Sequence, residues 1–242
     1  MIGRIEKYIR HQQYAPGLVG LFLNPFYHAR RGLRNGISCV APQMSGKLLD
    51  IGCGRKPYQD LFRVNEYVGL EIDTPENRAN KSADIFYDGE LFPFESEFFD
   101  GAICNQVLEH VFTPDRFLGE IHRVLKPGGK LLLTVPFVWD EHEQPYDYAR
   151  YTSFGLRNML EKNGFEMLEH RKINADIRVL FQLTNAYLYK VLWTRWSAVN
   201  LLTCAMVMAP FNILGLLLCK LLPENPDLYL DQVVLVRKVR HG

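Results

Sequence analysis

The stretch Lys47-Leu48-Leu49-Asp50-Ile51-Gly52-Cys53-Gly54 reads as a short apolar strand that runs into a glycine turn. Three more apolar runs follow: Tyr67-Val68-Gly69-Leu70-Glu71, Asp100-Gly101-Ala102-Ile103-Cys104-Asn105 and Lys130-Leu131-Leu132-Leu133-Thr134-Val135-Pro136. Near-continuous apolar runs suit strands buried on both faces, as in a parallel sheet covered by helices. Helical patterns lie between them. Pro114 to Leu125 places Phe117, Leu118, Ile121, Val124 and Leu125 at helical spacing and stops at Lys126-Pro127-Gly128-Gly129. Thr152 or Ser153 can cap a helix through Phe154, Leu156, Met159 and Leu160, which stops at Asn163-Gly164. This alternation implies an α/β, doubly wound sheet.

The chain has 242 residues and 28.0 kDa, 48% hydrophobic and 23% charged. It is long enough to bury a core without disulfides or a structural metal. The composition excludes a disordered tail, a collagen-like chain and a multi-span membrane protein. The net charge of +1 is unevenly spread: residues 1–47 hold seven Lys/Arg (Arg4, Lys7, Arg10, Arg30, Arg31, Arg34, Lys47) against Glu6 alone, so the front is +6 and the rest −5. Five cysteines with no C-x-x-C pair argue against a disulfide framework and a zinc site. The opening Met-Ile-Gly-Arg-Ile-Glu-Lys lacks a signal-peptide run, and a cytoplasmic location is expected.

Glycines after a strand let a backbone approach a ligand closely, and in an open parallel sheet the ligand sits outside the carboxyl ends of the strands. Glu71 ends the second apolar run, 19 residues after Gly52, where a carboxylate can accept hydrogen bonds from both hydroxyls of a ribose. The nicotinamide pattern G-x-G-x-x-G needs a third glycine where Pro57 stands. A nucleoside cofactor without phosphates would not need it.

The segments Asp88-Gly89-Glu90-Leu91-Phe92-Pro93-Phe94, Phe98-Phe99-Asp100, Asn105-Gln106-Val107-Leu108-Glu109-His110-Val111 and Glu120-Ile121-His122-Arg123-Val124-Leu125-Lys126-Pro127-Gly128-Gly129 follow in that order. With the glycine turn, this set resembles the class I S-adenosylmethionine-dependent methyltransferases, in the branch acting mostly on small molecules and lipids. The resemblance covers about residues 46–170. It implies a Rossmann-like seven-stranded sheet with an antiparallel last strand, and S-adenosylmethionine as cofactor. It places Asp50, Gly52, Cys53 and Gly54 against the methionine part, Glu71 on the ribose, Ile72 beside the adenine, Asp88 and Gly89 near the adenine amino group, and Asn105 and Gln106 at the border of cofactor and substrate. Lys56-Pro57 departs from the family pattern, where many members have another glycine.

The loop Trp139-Asp140-Glu141-His142-Glu143-Gln144-Pro145-Tyr146-Asp147-Tyr148-Ala149-Arg150-Tyr151-Thr152 follows the fourth run, where an acceptor should lie. It is similar to a His…Pro…Asp…Arg-Tyr-Thr stretch common in this branch. Methyl transfer needs alignment and, for some acceptors, removal of a proton. His142 is the candidate general base, or a brace of the loop. Asp147 and Arg150 are candidates to contact substrate, or an internal ion pair. Glu141, His142 and Glu143 point in different directions as neighbours, so no metal is expected. His110 and His122 fall on helical stretches and read as structural.

Four zones are expected: a helical N-terminal cap (1–45), the cofactor domain (46–174), a helical apolar insert (175–227) and a last strand (228–242). Phe165 to Ile173 would be the sixth strand and Asp231 to Val239 the seventh. Trp196 to Cys219 is 24 residues without a formal charge. A single membrane crossing would part the last strand from its sheet, and Pro210 divides the run into pieces too short to span. Two readings remain: a subdomain packed on the core or on a partner subunit, as in a homodimer, and peripheral membrane contact through 196–222, at the inner face of the membrane. Phe22, Phe26, Tyr27, His28, Arg30, Arg31 and Arg34 suit an anionic surface or a cap over the cofactor. Nucleic acid is not expected. The function expected is methyl transfer to an oxygen of a small-molecule or lipid-linked acceptor. The alternatives are a nicotinamide-dependent oxidoreductase and an inactive cofactor-binding partner subunit.

Overall fold

A computed structural model describes residues 11–239. Arg4, Glu6, Lys7 and Arg10 of the basic front lie outside the described residues. The described chain divides into two compact units, a sheet unit (37–137, 141–171, 232–239) and a helical unit (11–36, 138–140, 172–231).

The sheet has seven strands: β1 (Lys47–Ile51), β2 (Glu66–Ile72), β3 (Ile85–Tyr87), β4 (Phe99–Asn105), β5 (Leu125–Pro136), β6 (Phe165–Ile173) and β7 (Asp231–Lys238). Their order is β3-β2-β1-β4-β5-β7-β6. The β1–β2, β1–β4, β2–β3 and β4–β5 pairs are parallel, and β7 is the antiparallel strand. The apolar runs became strands because both their faces are covered: Leu48, Leu49, Ile103, Leu132 and Leu133 are fully buried.

Three local differences from the sequence reading have physical causes. The three-residue β3 is too short to show a period. Lys126-Pro127-Gly128-Gly129 is not a gap between helix and strand: β5 starts at Leu125, and Gly128 takes φ +79°. Between β1 and β2 the described chain forms a single 3-10 turn, Gln59–Leu61. The capping expectation holds: the Thr152 hydroxyl accepts from the Gly155 N–H at 3.1 Å, and the helix over Ser153–Lys162 ends at Gly164, φ +81°.

The helical unit joins the front of the chain to the insert. It contains helices over Gly20–Leu23, Arg178–Leu192 and Ser197–Leu218, and the helix Tyr27–Val40 begins in it. Three fully buried amides tie these pieces together. Gln182 donates to Pro25 O (3.0 Å) and accepts from the Ala29 N–H (3.1 Å). Asn212 donates to Leu21 O (2.9 Å) and Asn24 O (3.2 Å), and Asn185 donates to the Asn212 side-chain oxygen (2.9 Å). His28 is buried against Gly215, where a Cβ would stand 2.5 Å from His28 Nε2. Of the front's arginines, Arg30 lies over the Tyr14 ring and Arg31 over Tyr27.

Pro210 does not divide the apolar run. A π-turn at Cys204–Met208 precedes it, Pro210 falls in the first turn of the next helical segment, and Ser197–Leu218 continues for 22 residues, long and apolar enough to cross a membrane. Only 28% of its most apolar window is buried. Leu201, Leu202, Met206, Leu214 and Leu217 are among the exposed side chains, with Trp193 and Trp196 at the N-terminal end.

Candidate cofactor and acceptor site

The carboxyl edge of β1 is shaped by its glycines. Gly52 has φ +66° and packs so close to β4's following turn that a Cβ would come within 2.4 Å of Val107 Cγ2. Gly54 has φ +53° and open space where its Cβ would be. Lys56 sits at φ +52° and its N–H closes the turn onto Cys53 O at 2.8 Å, so the Lys56-Pro57 departure leaves a tight turn in place.

Glu71 ends buried against this turn. Its Oε2 accepts from the Gly54 N–H at 3.0 Å, which aims the carboxylate across the turn. Asp50 is buried one strand over and its Oδ2 accepts from Tyr67 OH at 2.7 Å. Burial pushes the Asp50 carboxyl up to about 7 and the Cys53 thiol up to about 12, so Cys53 is no nucleophile. Asp88 accepts from the N–H groups of Glu90 (2.8 Å) and Leu91 (3.3 Å), and these bonds hold its carboxyl below the usual range. Ile72 is 43% exposed although apolar, and faces Gly89, whose Cβ would lie 4.0 Å from Ile72 Cδ1. Asn105 and Gln106 share one partner: Thr134 Oγ1 donates to Asn105 Oδ1 (2.8 Å) and accepts from Gln106 Nε2 (3.3 Å).

The loop after β5 folds back onto the turn after β4. The Glu109 carbonyl accepts from the N–H groups of Tyr148 (2.9 Å) and Ala149 (3.2 Å). Asp147 and Arg150 form a two-point ion pair at 2.6 and 2.7 Å, and the guanidinium holds the Asp147 carboxyl at about 2. Asp147 also accepts from the His142 N–H (3.0 Å) and lies 3.3 Å from His142 Nδ1. The pair therefore positions His142.

His110, which the sequence reads as structural, lies beside His142. His110 ends a 3-10 turn, Leu108–His110, and its ring meets His142 edge to face with centroids 4.8 Å apart. Its place directly after β4 was the available signal. His122 fits the structural reading: it packs on Phe165 in the helix Pro114–Val124.

A sequence profile described as a methyltransferase domain matches residues 26–170. Over 94 residues the chain is 35% identical to the tRNA (carboxymethyluridine(34)-5-O)-methyltransferase of Arabidopsis thaliana, a match covering 36% of this chain and 23% of that protein. Over 186 residues it is 25% identical to a ubiquinone/menaquinone biosynthesis C-methyltransferase of Ruegeria sp., covering 58% and 74%. The chain spans less than half the length of the first curated relatives it matches, 23% and 44%. Among solved structures, Haemonchus contortus phosphoethanolamine N-methyltransferase 2, in complex with phosphomonomethylethanolamine and S-adenosylhomocysteine, superposes with TM-score 0.57 at 17% identity, covering 96% of this chain and 57% of that one. The [4+2]-cyclase SpnF superposes at 0.56 with 20% identity, covering 89% and 84%. Both likenesses speak for the fold alone.

The cofactor of the family is S-adenosylmethionine, and the residues present fit it. Gly54 opens onto free space beside a buried, oriented carboxylate on Glu71, which suits a ribose diol, and the exposed apolar side chain of Ile72 suits the face of an adenine. The family match replaces the nicotinamide alternative. With the profile covering more than half its length, this chain belongs to the methyltransferase domain family.

Proposed function

We propose that the protein transfers a methyl group from S-adenosylmethionine to an oxygen of a small-molecule or lipid-linked acceptor. The observation that carries this reading is the shared edge: the Gly54–Glu71 cradle and the Asp147–His142 pair both stand at the carboxyl ends of the parallel strands. Glu71 would hold the ribose hydroxyls. Gly52, Cys53 and Gly54 leave room for the methionine part beside Asp50. Ile72, Asp88 and Gly89 would border the adenine, and Asn105 and Gln106 the acceptor side. When bound, the cofactor supplies an electrophilic methyl group on a sulfonium.

On the acceptor side, Asp147 fixes the tautomer of His142 by facing Nδ1, which leaves Nε2 to take the acceptor's proton. Arg150 acts on Asp147 and is a positioning residue. Two relatives each support one half of this reading by name: one is a 5-O-methyltransferase, though of tRNA, and the other belongs to quinone biosynthesis, though as a C-methyltransferase. The exposed apolar face of Ser197–Leu218 supports a membrane-bound acceptor and a location at the inner face of a membrane. Because β7 returns to the sheet, the helix is proposed to lie in one leaflet, with Trp193 and Trp196 as interfacial side chains.

Calorimetry tests the cofactor reading. Glu71→Ala should weaken S-adenosylmethionine binding at least about tenfold; equal affinity removes the ribose assignment. Labelled methyl transfer into aqueous and lipid extracts tests the acceptor, and product in the lipid phase is expected. No turnover with any extract favours the inactive-subunit alternative. Partition onto phosphatidylglycerol vesicles with a blue shift of tryptophan emission tests the membrane reading; no partition returns the helix to a packed subdomain.

A further inference from the structure

We propose that Glu109, His110 and His142 form a site for a divalent cation of the zinc type. With one ligand atom taken from each side chain, the three atoms lie within 4.8 Å of one another. Glu109 is fully buried, and its Oε1 lies 3.9 Å from His110 Nε2. This trio differs from the run 141–143, and the fold assembles it from two segments about thirty residues apart.

The groups behind the two rings support a ligand role for both histidines. His110 Nδ1 is 2.9 Å from Tyr146 O, and His142 Nδ1 is 3.3 Å from Asp147 Oδ2. A carbonyl and a carboxylate only accept, so both Nδ1 atoms carry the proton and both Nε2 atoms keep a lone pair. A carbonyl or carboxylate behind each imidazole is the outer-shell pattern of metal-bound histidine. The surroundings are tied together: Glu109 O accepts from the N–H groups of Tyr148 and Ala149, and Arg150 pairs with Asp147.

Two histidines and one carboxylate with a position left open match a zinc-type catalytic set. Ligands at zinc distances stand about 3.3 Å apart, so atoms up to 4.8 Å apart must close in by up to about 1.5 Å on loading. The open position would receive the acceptor oxygen and lower its pKa, with the proton leaving to water. In the loaded protein His142 is then a ligand, and it takes the proton itself only without the cation. This last role rests on the acceptor-site reading above; cation binding does not.

The test uses the full chain after chelator treatment, without cofactor or acceptor. Zinc titrated by calorimetry should bind at one equivalent. Cobalt should give a tetrahedral d–d spectrum with no thiolate charge-transfer band. His142→Ala and His110→Ala should each lose the spectrum, and Asp147→Asn should weaken zinc binding about 10–100-fold. Glu109 is buried, so Glu109→Gln is read only if it still binds S-adenosylmethionine; the half-exposed His142 carries the test otherwise. No saturable zinc binding, a thiolate band, or an unchanged spectrum in His142→Ala overturns the proposal. Loss of cofactor binding with zinc binding intact would overturn the cofactor reading alone.

Discussion

The sheet unit and the helical unit both bury polar side chains, Glu109, Thr134 and Gln232 among them in the first, but differ in what holds them together. In the first, Leu49, Ile51, Leu70, Leu133 and Val234 are interior, and the strand ladders satisfy the backbone. In the second, the fully buried side chains include Gln182, Asn185 and Asn212, while Leu201, Leu202, Met206 and Leu217 face outward. Apolar burial contributes about 25 cal/mol per Å² and is largely unused on that outward face. Buried amides hold only while every partner is present. The sheet unit is therefore tolerant and self-contained, whereas the helical unit depends on a few hydrogen bonds and on whatever covers its surface.

The sharpest way to break this contrast is Asn212→Ala. It removes the side-chain donor to the Leu21 and Asn24 carbonyls and one of two acceptors of the Asn185 amide, which keeps Met208 O, and should cost the helical unit about 4 kcal/mol. Hydrogen exchange should rise over 178–218 and stay unchanged in β5; equal loss in both units would refute their separate footing.

Acid should act next. Burial, with Arg178 nearby, lowers His28 from 6.5 to about 4. The unfolded chain takes up a proton below pH 6.5 while the folded helical unit resists until about 4, so stability falls as pH falls through that window, by about 3 kcal/mol. Asp50 works the other way in the sheet unit: its raised pKa favours the fold at low pH, and that contribution is lost as pH rises through about 7. His28→Gln should flatten the acid response of exchange over 178–218. The smallest effect should be Thr152→Ala, which removes one cap from the sheet unit and costs about 1 kcal/mol in a melting experiment, with the helical unit unaffected.

Much of the sheet unit is legible in the sequence because buried parallel strands, glycine turns and caps are local signals. Lys47–Ile51, Gly52, Gly54 and Glu71 fall where the pattern predicts. The acceptor side is less legible. His110 meets His142 only because the loop after β5 hydrogen-bonds to the Glu109 carbonyl, and no local pattern encodes that contact. In the insert, apolar periodicity passes over the amides that hold it, since Asn185 and Asn212 count as breaks in an apolar run. Pro210 was misleading for a similar reason: the rule for proline assumes a regular helix before it.

That irregularity fixes the phase of the helix. Each helical residue turns the chain about 100°, and a π-turn takes in about one residue more than an α-turn. Asn200, Cys204 and Met208 are buried on one side, and Asn212 and Gly215 continue that side beyond Cys204–Met208. The extra residue works as a natural single-residue insertion that resets the register. Straightening that π-turn without removing a residue would turn the last two turns by about 100°, swing Asn212 away from Leu21 and Asn24 and put an outward-facing side chain in its place. Deleting one residue between Cys204 and Met208 would instead give a regular helix that keeps Asn212 on its side.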